Sequence, residues 1–249
     1  MSFDFGYALT CFLPVLSKLN VTMYMTLMST LFALLGGIVF AAILRTRVPV
    51  LDKIVYFISS FLKAVPPLVL LFIFYYSMPT ILVALGVHYN QQNPPKLAFA
   101  IIAFSITYIP YMSDMILSAL GTIPKGQMEA CHAVGMTTWQ GMTRIVLPQV
   151  VVVAIPVFGN HFVNILKATA IAYMVTIVEM MGAAKNYAAE NQMFLEAYVV
   201  AALVYWGICI FFDWLFARLE KRAGRYLAPS IVTTKKGVLE LFGLKGQAA

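Results

Sequence analysis

A chain of 249 residues that is 61% hydrophobic and only 11% charged exceeds the apolar share of ordinary globular domains and falls among membrane proteins. Its net charge of +7 does not speak for nucleic acid, because basic residues beside long apolar runs mark the cytoplasmic face of a bilayer protein; no nucleic-acid partner is expected. Cys11, Cys131 and Cys209 are too scattered for a disulfide framework or a metal site, so no metal is expected and all three read as small buried hydrophobes.

The first twenty residues carry no basic stretch ahead of an apolar core and no small-residue cleavage site, so a removable signal is not expected and residues 1–20 read as an external N-terminal segment. A span needs about 20 mostly apolar residues, and Val21 to Leu44 supplies them with no charge between Lys18 and Arg45. Gly36 and Gly37 within it permit close approach of a neighbouring helix. Ile54 to about Leu85 is a second, longer apolar segment interrupted by Lys63, Pro66, Pro67 and Pro79, which predicts a kink or break. Gly86 to Pro95 is a solvated turn, and Leu97 to Leu120 forms a third span. A polar island over residues 121–148 follows. Gln149 to Ala184 exceeds one straight crossing and holds Lys167 and Glu179, which predicts a fourth span followed by an irregular segment dipping back into the bundle. Ala197 to Ala217 is the fifth, with Asp213 near its end and Trp206 and Trp214 as boundary anchors. The spans together occupy residues 21–217. Residues 218–249 form a basic tail whose Arg218–Arg225 stretch is attracted to anionic lipid, and beyond about Pro229 it reads as a loosely docked or mobile extension.

Five crossings place the termini on opposite sides of the membrane. With the C-terminus cytoplasmic, Arg45, Arg47, Lys53, Lys125, Arg144 and the tail cations all lie inside, and only Lys18, Lys96 and Lys185 lie outside. That asymmetry satisfies the positive-inside rule, so the N-terminus is expected outside and the polar island in the cytoplasm.

Within the island, Gln127 to Val134 is a short helix-forming run, Gly135 can take the left-handed conformation that ends it, and Thr137-Thr138 can cap a second helix that Pro148 closes. Ala130, Cys131 and Ala133 leave a smooth surface for another protein, and Glu129 suits the N-terminal end of the first helix. Glu129-Ala130-Cys131, Gly135, Ile145, Leu147 and Pro148, preceded by Gly126-Gln127 and followed by Gln149, resemble in spacing the EAA loop of bacterial ABC importer permeases, the polar amino acid subfamily in particular. Cys131 replaces the usual third alanine. The likeness continues through Asn20-Val-Thr-Met-Tyr-Met-Thr, and Phe61–Pro66 sits where the family usually shows Arg-Gly-Thr-Pro. Tyr111–Asp114 stands in place of Tyr-x-x-Glu, and Leu166–Ala170 in place of a Lys-Asp-Thr-Ser run.

This resemblance implies an all-α integral membrane fold, an ABC type I importer permease with five transmembrane helices and a cytoplasmic coupling-helix loop. It implies an inner-membrane transport subunit, not an enzyme, with no cofactor of its own and ATP bound by a partner. The implied partners are two ABC ATPase subunits, a second permease copy or paralogous permease, an extracytoplasmic solute-binding protein, the lipid membrane and an amino acid substrate. Gly126, Gln127, Glu129, Ala130, Gly135, Ile145, Leu147 and Pro148 are the expected ATPase-coupling residues.

Ionisable groups inside spans are costly and usually face the bundle interior, which makes Lys63, Asp114, Lys167 and Glu179 candidates for substrate contact. An amino acid zwitterion needs donors for its carboxylate and an acceptor for its ammonium. His161, Asn164 and Lys167 share one face of the fourth span, and Asp114 or Glu179 can supply the acceptor. The alternative is that Lys63 and Lys167 pair with Asp114 and Glu179 only to stabilise the bundle; His161 alone reads as a satisfied core histidine. An ion-coupled secondary transporter working without an ATPase is the other functional reading, weakened by the lack of paired sequence halves.

Overall fold

The computed structural model describes residues 3–46, 48–87 and 95–224. Arg47, positions 88–94 of the expected external turn, and the tail from Arg225 onward lie outside the described residues.

Every regular element among the described residues is a helix, and five stretches are long and apolar enough to cross a membrane: Leu19–Thr46, Pro67–Ala84, Lys96–Gly121, Thr138–Val175 and Phe194–Ala223. The bundle is built on helix α2 (Leu19–Thr46) packed along α5 (Lys96–Gly121). Small residues make that contact close. Thr22, Thr26, Ser29, Thr30, Ala33, Gly37 and Ala41 form the buried stripe of α2, and a methyl group added at Gly37 would sit 2.5 Å from Met112 Cβ. Van der Waals packing drives helix association in lipid, so small residues at the seam are the expected solution. Leu27, Leu31, Leu35 and Ile38 cover the opposite, exposed face, which suits lipid.

The second apolar segment is two helices, α3 (Pro49–Ala64) and α4 (Pro67–Ala84). The break falls at Val65-Pro66 because Pro66 and Pro67 carry no backbone N–H, and Val65 is extended. Helix α3 starts earlier than the apolar run does, at Pro49, whose fixed φ suits a first helical position, and Asp52 occupies its first turn.

The polar island contains α6 (Gly126–Ala133) and α7 (Thr138–Gly141), as the turn chemistry predicts. Gly135 is left-handed (φ 79°). Thr137 and Gln140 form a reciprocal capping box, with Gln140 N donating to Thr137 Oγ1 and Thr137 N donating to Gln140 Oε1. One expectation fails here. Pro148 does not close a helix: the chain runs from α7 through a π-turn (Met142–Val146) directly into α8 (Leu147–Ala168). The wider turn, in which Leu147 N donates to Met142 O, absorbs the donor that Pro148 lacks, and Gln149 Nε2 donates to the Ile145 carbonyl.

Past α8, residues Thr169–Val175 form a 3₁₀ stretch that ends on a left-handed Thr176. Helix α9 (Met180–Asn191) and the long α10 (Phe194–Ala223) follow. The expected irregular segment is therefore a tight 3₁₀ turn and a short helix. Helix α10 approaches α8 at Gly159, where a Cβ would meet the Phe216 ring at 2.7 Å.

Residues 1–20 contain an element that apolar-run length did not reveal, α1 (Phe5–Leu16). Asp4 caps it, with Tyr7 N donating to Asp4 Oδ1 at 3.0 Å. Ala8, Cys11 and Val15 pack on Met180, Ala184 and Ala188 of α9 and on Ala197 and Val200 of α10. Tyr7 donates to the Tyr187 carbonyl at 2.8 Å, their rings stack at 5.4 Å, and Asp4 N donates to Glu196 Oε1. Twelve residues are too few to span.

Candidate functional site

Among the described residues, two places that hold residues picked out from the sequence carry more polar or exposed chemistry than packing requires. The first is the α6–α7 loop. Its inner side is a small apolar core: Cys131 is buried against Gly141, where a Cβ would lie 3.1 Å from Cys131 Cβ, and Met128 reaches the same point. Ala119, Val146 and Val150 continue that cluster and tie the loop to α5 and α8. Cys131 is therefore buried, as its reading as a small hydrophobe expects, and not part of the smooth outward surface it was to share with Ala130 and Ala133; glycine at 141 lets α7 sit directly on the thiol side chain. Glu129, Ala130, His132 and Ala133 face outward. Val134 and Trp139 stand 75% exposed on the same loop, large apolar groups that the rest of the chain leaves uncovered. Neither was singled out from the sequence, because only the fold reveals which side of the hairpin is occupied. Gly126, Leu147 and Pro148 are exposed, while Gln127 and Ile145 are half-buried.

The second place is a cavity of about 420 Å³ at the α3–α4 break. Lys63, Val65, Pro66 and Pro67 form one wall, Thr107, Tyr108 and Tyr111 of α5 another, and His161 and Asn164 of α8 the third. Lys63 Nζ lies 2.8 Å from Asp114 Oδ2, and both side chains remain well exposed, 35% and 52%. Burial of a pair would make its desolvation dominate; the rest of the chain leaves this pair uncovered. The broken helix adds acceptors. With Pro66 and Pro67 as the next donors in register, the carbonyls of Leu62 and Lys63 lose their helical partners, at the end where the α3 dipole favours a cation. The aromatic wall is fixed. Tyr108 donates to the Asn164 carbonyl at 3.3 Å, its ring lies 5.5 Å from that of Tyr111, and Tyr111 contacts the His161 ring at 5.9 Å.

Of the residues picked out from the sequence, Lys63 and Asn164 line the cavity, and Asp114 is tied to it through its ion pair with Lys63. The fold adds His161, which is half-buried on the cavity wall with no hydrogen bond among the described residues, rather than a satisfied core side chain. Lys167 lies one turn beyond Asn164, exposed and outside the cavity lining. Glu179 lies elsewhere. It is fully buried as the N-cap of α9, its carboxylate accepting from Met181 N at 2.9 Å, Gly182 N at 2.8 Å and Tyr205 Oη at 2.7 Å. No Lys167–Glu179 ion pair forms among the described residues. Tyr108, Tyr111 and Thr107 are cavity residues that an apolar span conceals, since an inward tyrosine and a lipid-facing one look alike in sequence.

The loop and the cavity are joined. Thr138–Val175 is a single apolar stretch in which α7, the π-turn and α8 follow without interruption, so the helix that carries His161 and Asn164 is rooted in the exposed hairpin.

Residues 33–225 match the model of the family described as binding-protein-dependent transport system inner membrane component. The chain is 34% identical to a probable amino-acid permease protein of Bacillus subtilis, YxeN, over 88% of this chain and 95% of that one. It is 30% identical to an L-cystine transport system permease protein of the same organism, TcyL, over 88% of each. Among solved structures, the crystal structure of an amino acid ABC transporter with histidines superposes with a TM-score of 0.76 at 22% identity, covering 89% of this chain and 100% of that one, which places the fold with ABC importer permeases.

Proposed function

The chain belongs to the family of binding-protein-dependent transport system inner membrane components, and from that premise we propose that it carries a polar amino acid, or a derivative such as cystine, driven by a separate ATPase that grips the 126–148 loop. It is a membrane-spanning permease of an ABC importer, a class whose members work with ATPase and substrate-binding partners. The assembly we assign has two ATPase subunits, a second permease that is either another copy or a paralogue, and an extracytoplasmic solute-binding protein. ATP belongs to the ATPase partner. The N-terminal segment 1–20 is external, the permease unit is 21–217, and the 218–249 tail is cytoplasmic, in the orientation that the basic residues favour.

The observation that carries this reading is the continuity of hairpin and span. When the ATPase pair closes, it moves Glu129, Ala130 and Gly135 as a body with α6. Cys131 packed on Gly141 passes that motion to α7, and the unbroken path through Ile145, Leu147 and Pro148 passes it to α8. There His161 and Asn164 shift against Lys63 and the broken end of α3. The cavity chemistry suits a zwitterion. Lys63 and the Asn164 amide offer donors to a carboxylate, while Asp114 and the freed carbonyls of α3 accept from an ammonium. Asp114 and Lys63 stabilise each other until substrate exchanges with one of them. Lys167 and Glu179 take no part in this contact set.

The test is site-specific crosslinking. With cysteine introduced at Ala130 or Trp139, a short bifunctional reagent is expected to capture the ATPase subunit, and ATP is expected to change the yield. Absence of ATPase adducts from both positions, with transport intact, refutes the coupling assignment.

A further inference from the structure

A second cavity, of about 290 Å³, lies where the ends of α2 and α5 meet the hairpin. Arg45, from the last turn of α2, and Lys125, just ahead of α6, stand at it. Both are exposed, and neither side chain makes a hydrogen bond or ion pair among the described residues. Beneath them the lining is apolar, with Ile123, Met128, Met142 and Val146. Two free cations over an apolar floor, at the level where membrane-spanning helices end, have the chemistry of an anionic amphiphile rather than of a soluble metabolite. A phosphate pairs with the cations, as basic pockets between transmembrane helices do with lipid head groups. The unbranched methionines adapt to an acyl chain.

We propose that this cavity binds one anionic phospholipid, with Arg45 and Lys125 holding its phosphate and the methionine-lined floor holding the start of a chain. The site depends on α2 and α5 being spans and not on which solute is carried. Its floor has a mechanical consequence. Met128, Met142, Ile123 and Val146 all belong to or border the cluster that pins the hairpin to α5 and α8, so a lipid seated there rigidifies α6 and α7 in their place. The bilayer thereby sets how firmly the hairpin is held.

The experiment uses the full chain, purified in a mild non-ionic detergent and examined by native mass spectrometry after addition of phosphatidylglycerol or phosphatidylcholine. One phosphatidylglycerol is expected to remain on the wild type. The Arg45→Gln/Lys125→Gln variant loses it by about tenfold or more, each basic residue near a surface contributing about one decade or less in binding, and Arg45→Lys/Lys125→Arg restores it. Unchanged thermal melting of the glutamine variant in lipid-free detergent shows that loss is not misfolding. If that variant melts earlier, hydrogen exchange on the wild type decides, with phosphatidylglycerol slowing exchange in 126–141 and phosphatidylcholine leaving it unchanged. Equal retention of both lipids, or of phosphatidylglycerol by wild type and glutamine variant alike, overturns the proposal. Displacement by millimolar inorganic phosphate identifies a free-phosphate site instead, and protection of Arg45 and Lys125 only when an ATPase subunit is added, with no lipid retained, identifies a protein contact; either result also overturns it.

Discussion

Two of the membrane segments are broken, and the breaks are built to opposite ends. At Val65-Pro66 the prolines strip donors from the chain, a lysine and an aspartate meet at 2.8 Å while still exposed, and a cavity opens beside them. At Thr169–Glu179 the chain tightens into 3₁₀ turns, reverses at a left-handed Thr176, and closes on a fully buried carboxylate that holds two backbone N–H groups and a tyrosine hydroxyl. A charge in a span is thus not a site by itself. Unfilled hydrogen-bonding capacity beside it suits the first break to the binding we propose, and complete satisfaction makes the second a pin that holds α9 between α2 and α10, where Met180 N also donates to Thr22 Oγ1.

The sharpest way to break this contrast is to empty the saturated end. Glu179→Ala leaves the Met181 and Gly182 amides and the Tyr205 hydroxyl without their acceptor, and is expected to lower stability by about 2–4 kcal/mol. Denaturant titration in detergent micelles reads it; the apparent affinity for substrate in the fraction that folds should be unchanged. At the open end the pattern reverses. Lys63→Met is expected to weaken substrate recognition about tenfold, or about 1.4 kcal/mol, seen as a raised KM for uptake, while stability moves by less than about 1 kcal/mol because a half-exposed pair contributes little. A large stability loss from Lys63→Met without a KM change would make the pair structural and dissolve the comparison. Tyr205→Phe removes one interhelical hydrogen bond and should cost about 1 kcal/mol of stability with transport kinetics preserved. The smallest shift in melting is expected at Gly135: alanine in the left-handed region costs about 1 kcal/mol locally, but on an exposed loop that cost should show as reduced ATP-driven uptake before any global unfolding.

The sequence carried the spans because their signal is length: no charge interrupts Val21 to Leu44, and a bilayer fixes how many such residues are needed. It carried the first break because proline acts locally, and the hairpin because Gly135 and the Thr137–Gln140 box are local as well. What it did not carry depends on tertiary placement. Helix α1 was hidden because Phe5–Leu16 is too short to read as a span and contains Pro14; only α9 and α10 give its Ala8–Cys11–Val15 face something to bury against. Cys131 faces inward because Gly141 lies opposite, a fact eight residues of weakly amphipathic helix cannot announce. Pro148 looked like a terminator, and the π-turn that carries the helix past it leaves no mark in composition. Glu179 and Lys63 were equivalent as charges in apolar segments, and only their neighbours separate them.

Whether the exposed hairpin couples an outside energy source to this cavity is read by uptake into proteoliposomes containing the assembled permeases with and without the ATPase. Amino acid accumulation is expected to require both the ATPase and ATP and to persist when proton and sodium gradients are collapsed. Accumulation driven by an ion gradient in vesicles lacking the ATPase would contradict this coupling and turn Lys63 and Asp114 into an ion relay.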